Sequence, residues 1–121
     1  MLTIKNELIS YLKDILSYPV LSVYPKDRIV PVCIIQETSN LSVDYRETNT
    51  SEVVYRFSLY STDRTELNNE INKLDEAMIA LGFVRSNYNE TDSEVIHSVT
   101  LSYEGVIRLE GDTVKIYRIS Y

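Results

Sequence analysis

The chain has 121 residues, 44% of them hydrophobic and 25% charged, which is the balance of one globular domain with a single core and not of a disordered tail. Twelve Lys and Arg stand against 18 Asp and Glu, a net charge of -6, so sequence-specific nucleic-acid binding, which needs a basic contact face, is not expected. The longest apolar run, Ile29 to Ile35, is broken by Pro31 and falls well short of the ~20 residues of a membrane span, so no membrane partner is expected either.

One cysteine, Cys33, leaves no intrachain disulfide and no multi-cysteine zinc site, and it sits in an apolar run as a small buried hydrophobe. The first sixteen residues carry Lys5, Glu7, Lys13 and Asp14, which is unlike the apolar core of a secretory signal and points to a cytosolic protein. The unusual feature is aromatic: ten Tyr, two Phe and no Trp. Tyrosine has a large apolar ring and a polar tip, so it suits half-buried sheets and protein interfaces.

In chain order, Ile4, Leu8, Leu12, Ile15 and Leu16 recur at helical spacing and predict a helix from Thr3 to Ser17, ended by Tyr18-Pro19. A short strand follows at Val20 to Tyr24. After a turn, Ile29 to Glu37 reads as a buried, central strand because it is almost continuously apolar. Thr38 to Ser51 is polar and reads as a long connection, with a protruding hairpin around Leu41 to Tyr45 as an option. In Glu52 to Ser61 the apolar Val53, Tyr55, Phe57 and Leu59 alternate with Val54, Arg56, Ser58 and Tyr60. This predicts a strand with one core face and one face on which Arg56 and Tyr60 can meet a partner.

Asp63 stands in capping-box spacing to Glu66 and opens a helix. Leu67, Ile71, Leu74, Met78 and Leu81 form a narrow stripe that covers a sheet, and Gly82 supplies the stop. Strands are predicted at Phe83 to Tyr88 and Val95 to Glu104, joined by a polar turn at Asn89 to Glu94. A last hairpin runs from Val106 to Ile119 and turns at Glu110-Gly111-Asp112.

Catalytic patterns are scarce. His97 has no second His or Cys at ligand spacing, and the three glycines stand at element ends, where they cannot form a phosphate-cradling loop. Glu66, Glu70, Asp75 and Glu76 read as a solvated helix face, not as poised acids or bases. The expectation is a non-enzyme with no catalytic residues, metal or cofactor, whose function lies in its surfaces. Tyr45, Tyr60, Tyr88, Tyr117 and Tyr121 have no core role and are candidates for an interface.

Several stretches carry a resemblance: Val30-Pro31-Val32-Cys33-Ile34-Ile35-Gln36-Glu37 with Thr38-Ser39-Asn40; Glu52 to Ser61 opening directly into the second helix; Leu81-Gly82-Phe83-Val84-Arg85; and Tyr103-Glu104-Gly105-Val106-Ile107. In these the chain resembles the tail-completion, or tail-terminator, proteins of long-tailed bacteriophages and prophages. The resemblance implies a single α+β domain, residues 1–121, with two helices on one face of an antiparallel or mixed β-sheet. To this the element pattern adds a C-terminal hairpin and a long loop at 38–51. The resemblance further implies a homo-oligomeric ring, a hexamer, at the head-proximal end of the tail in the virion, assembled in the host cytoplasm. Its partners would be the tail tube protein and the head-tail connector protein. By this analogy Asp44, Arg46 and Glu47 of the long loop, with Glu52 next to it, reach the tube or a neighbouring subunit. The alternative is a small acidic adaptor or inhibitor of one host protein.

Overall fold

The computed structural model describes residues 2–27, 29–42 and 49–118. The elements are α1 (Lys5–Lys13), β1 (Val20–Leu21), β2 (Val32–Ser42), β3 (Thr50–Ser61), α2 (Arg64–Leu81), β4 (Val84–Asp92), β5 (His97–Glu110) and β6 (Thr113–Tyr117). One six-stranded sheet has the order β1-β2-β3-β5-β4, with β6 also paired to β5. Only the β1–β2 pair is parallel. The fold is therefore α+β with a mixed, mostly antiparallel sheet and a C-terminal hairpin.

Both helices pack on the same side. Ile4, Leu8 and Leu12 of the α1 region and Leu67, Ile71, Leu74 and Met78 of α2 share one core with Cys33, Ile35, Val53, Tyr55, Phe57, Leu59, Val99, Leu101 and Tyr103. These strand residues are alternate positions, as a half-covered pleated surface requires. The predicted core face of β3 is fully buried. Helix α2 also follows its sequence signals: the Asp63 side chain accepts the Glu66 N–H at 3.1 Å, and Gly82, at φ 111°, closes the helix in the left-handed region.

Several boundaries need correction. Helix α1 covers only Lys5–Lys13, since the chain turns at Asp14 to bring Leu16 and Tyr18 inward. The apolar strand begins at Val32, not Ile29, and it is not central: only the two-residue β1 lies outside it, while β3 and β5 hold the middle. Part of the long loop predicted at 38–51 is strand: β2 runs on to Ser42 and β3 starts at Thr50, paired in register around a bulge at Glu37/Ser39, while residues 43–48 lie outside the described residues. Alternation is too weak in Thr38-Ser39-Asn40 to announce a strand, and cross-strand pairing supplies the missing stabilisation. Likewise β4 absorbs most of the predicted Asn89–Glu94 turn.

Strand β5 continues through Gly105 without a break. That glycine has a packing reason: a Cβ there would lie 2.9 Å from the Phe83 ring, which is wholly buried. Gly105 reads as punctuation in the sequence, but it is the place where a ring lies across the strand.

Candidate protein interface

Among the described residues no helix covers the second face of the sheet. Register places its side chains in rows across the strands: Val32, Tyr60, Ser98 and Thr91; then Ile34, Ser58, Thr100 and Asn89; then Gln36, Arg56, Ser102 and Asn87; and, towards the other end, Leu41, Glu52, Val106 and Tyr117. Four of the residues expected at an interface, Glu52, Arg56, Tyr60 and Tyr117, thus share this face. Arg56 donates to the Gln36 amide oxygen, and the Tyr117 hydroxyl donates to Glu110 at 2.6 Å. Tyr88 does not join them. It pairs with Leu101 on the helix side, where its hydroxyl donates to Glu90 and the Arg85 guanidinium lies 5.9 Å from its ring. Asp44, Tyr45, Arg46, Glu47 and Tyr121 lie outside the described residues.

At the β1 and β4–β5-turn end of this face is an open groove of about 490 Å³, walled by Tyr24, Val30, Tyr60 and Ile96 and floored in part by Thr91 and Ser98. The Tyr24 and Tyr60 rings meet edge to face, 5.4 Å apart. Its turn wall is stiff: Ser93 Oγ donates to the Ile96 carbonyl at 3.1 Å and accepts the Ile96 N–H at 3.0 Å, and the Ser93 N–H donates to the same carbonyl at 3.0 Å. Next in the chain to these wall residues stand Val23, Val95 and Ile29, which are 74%, 71% and 48% exposed. In the sequence Ile29 and Val30 belong to a predicted buried strand and Val95 and Ile96 to the start of a predicted hairpin strand, so the groove has no sequence signal. Only the flanking turn residues Asp27 and Ser93 hinted that the strands start later.

The charge around that end is acidic and organised. Arg64, the first residue of α2, reaches Glu90 at 2.5 Å and Asp92 at 3.4 Å, and His97 Nδ1 lies 3.1 Å from Asp92. The Tyr88 hydroxyl and then Arg64 hold the Glu90 carboxyl below its ordinary range. At the opposite end the Tyr117 hydroxyl and then Lys115 do the same for Glu110.

Inside the protein the tyrosine excess has a second use. Tyr55 donates to Glu37 at 2.9 Å, Tyr103 to Asp75 at 2.8 Å, and Tyr18 to Ser61 at 2.9 Å. Burial pushes the Tyr55 hydroxyl up to about 12 and raises Tyr103 further, with the Asp75 carboxylate adding to the burial effect. Burial also raises the Cys33 thiol to about 12, which fits an inert core residue.

Glu70 is not on a solvated face. It is 1% exposed and accepts the Ser17 N–H on both oxygens at 3.1 Å and the Tyr18 N–H at 3.4 Å, with Lys73 Nζ 3.4 Å away. Among the described residues no group of three His, Cys, Asp or Glu could hold a metal ion. The polar groups around the groove are hydroxyls, suited to binding through hydrogen bonds. No family model and no curated protein matches the chain in sequence.

Proposed function

We propose that this chain is a structural protein of virion assembly, a phage tail-completion protein that closes the head-proximal end of the tail tube as a ring and offers the joint to the head connector. A tube built from stacked rings uses a repeating head-to-tail contact that would extend without limit. A terminator stops it by presenting one tube-like surface and one surface of a different kind. The observation that carries the reading is the one-sided layering: two helices cover one sheet face, while the other bears Glu52, Arg56, Tyr60 and Tyr117 with no element over it among the described residues. A protein with two chemically different broad faces suits that role. The acidic excess suits a channel past which DNA slides without sticking.

In this reading the stretch between β2 and β3 with Asp44, Arg46 and Glu47, together with Glu52 of β3, meets the tube or the next subunit. Six copies form the ring, which sits in the virion after assembly in the bacterial cytoplasm. Electron microscopy of the protein mixed with purified tail tubes tests it: six-fold rings at one tube end are expected. One-to-one complexes with a host protein, and tubes left bare, would overturn it. Reversing both charges, Arg46→Glu with Glu47→Arg, is expected to leave most tubes uncapped.

A further inference from the structure

We infer that α1 is a hinged cover: it swings off β1 and β2 as a unit, is held shut by a polar latch on Glu37, Asn40 and Tyr55, and on opening bares Cys33 while the rest of the fold stands. This does not rest on the tail-completion reading. The first observation is how the two helices divide the sheet. Helix α1 packs mainly on β1 and β2, whereas α2 packs mainly on β3, β4 and β5. Lifting α1 therefore leaves α2 seated on strands that stay paired with one another. One flank of α1 also lacks a close neighbour, because an open groove of about 510 Å³, lined by Ile4, Leu8, Tyr11, Leu81, Val114 and Ile116, separates it from the end of α2 and from β6. Helix α1 itself buries Leu8 and Leu12, with Ile4 before it and Leu16 after it, whereas α2 buries six residues, so α1 is the weaker of the two covers.

The second observation is that polar groups grip the chain on both sides of α1, unequally. Before the helix, side chains of β2 and β3 hold three consecutive residues. Asn40 Nδ2 donates to the Leu2 carbonyl at 2.7 Å, Thr3 Oγ1 donates to Glu37 at 2.8 Å, and the Ile4 N–H donates to the Tyr55 hydroxyl at 3.1 Å. Ile4, at the N-cap, brings no capping side chain, so this latch does the work of a cap. After the helix the grip is deeper. Glu70, almost sealed from water, accepts the Ser17 and Tyr18 N–H groups, the Tyr18 hydroxyl donates to Ser61, and the Pro19 carbonyl accepts the Cys33 N–H at 2.8 Å. Water can replace the exposed Thr3–Glu37 bond at small cost, whereas opening the Glu70 site strands a buried carboxylate. The entry is therefore the latch and the segment ending at Ser17 is the hinge. Cys33 lies on the helix side of β2, wholly buried in the same core as Leu8 and Leu12, and loses its cover when α1 lifts.

The test uses the full chain and its single thiol, labelled with iodoacetamide in native buffer. Labelling of Cys33 is expected to run faster than global unfolding allows and to be nearly independent of urea at low concentration, because a partial opening exposes little surface. Thr3→Val combined with Asn40→Ala removes two latch bonds and should speed labelling about tenfold. Thr3→Ser, which keeps the hydroxyl, should leave the rate near that of the parent. Asp63→Ala weakens α2, which stays folded in the open form, so it should lower global stability and leave labelling unchanged. Amide exchange reads the same event without the thiol: the Leu8 and Leu12 amides should exchange through this opening, and those of Phe57 and Leu101 only through global unfolding. Labelling no faster than global unfolding overturns the inference, as does equal acceleration by Asp63→Ala and the latch variant. So does a rate that the latch variant leaves unmoved, or α1 amides as protected as those of β3 and β5.

Discussion

Glu70 is a carboxylate almost sealed from water, and its ligands are main-chain amides of the segment that follows α1. It therefore staples two parts of the fold that are far apart in sequence. Removing it leaves the buried Tyr18 N–H and the partly buried Ser17 N–H without this acceptor, so Glu70→Ala is expected to cost about 2–4 kcal/mol in denaturant unfolding. Glu70→Gln keeps one acceptor oxygen and should cost about half as much; equal stability of both variants with the parent would refute the staple. Nothing in the sequence separates Glu70 from its solvated neighbours Asn69 and Glu66. It lies beside the Leu67–Ile71–Leu74 stripe, and only the position of Ser17 and Tyr18 in space turns that border position into a binding site for amides.

At the scale of elements, the signals that act over a few residues were readable and those that act across the sheet were not. The cap at Asp63, the α2 stripe, the stop at Gly82 and the alternation of β3 depend on local spacing, and each is realised. Asp63→Ala is expected to lose about 1 kcal/mol, the usual cost of an N-cap. Strand lengths are different. Thr38 to Ser42 and Asn89 to Asp92 become strand because β3 and β5 offer them main-chain partners, a contact that composition cannot announce. Gly105 belongs to the same class. Gly105→Ala puts a methyl group against the buried Phe83 ring and is expected to destabilise by about 1–3 kcal/mol. A thermal midpoint unchanged from the parent would show that Phe83 yields freely.

Over the whole molecule, the tyrosine excess and the acidic excess join in pairs of phenol and carboxylate: Tyr55 with Glu37, Tyr103 with Asp75, Tyr88 with Glu90 and Tyr117 with Glu110. Their consequence is an alkaline limit. Below the ordinary tyrosine value of 10.0 both the folded and the unfolded chain keep their protons, and stability is unaffected. Above it the unfolded chain releases protons first, because the folded Tyr55 waits until about 12 and Tyr103 longer. Stability must therefore fall as pH rises, by about 2 kcal/mol from Tyr55 alone at pH 12. Circular dichroism and tyrosinate absorbance should show the buried tyrosines ionising together with unfolding. Ionisation of all ten near pH 10 with the fold intact would contradict this. The sequence by itself determined the two helical stripes, the core face of β3 and the C-terminal hairpin, because these follow from local periodicity and turn residues, while the α+β class was what the resemblance implied. Only the tertiary structure decided which polar groups are buried, where strands end and where the apolar groove opens, because those depend on which distant residues become neighbours.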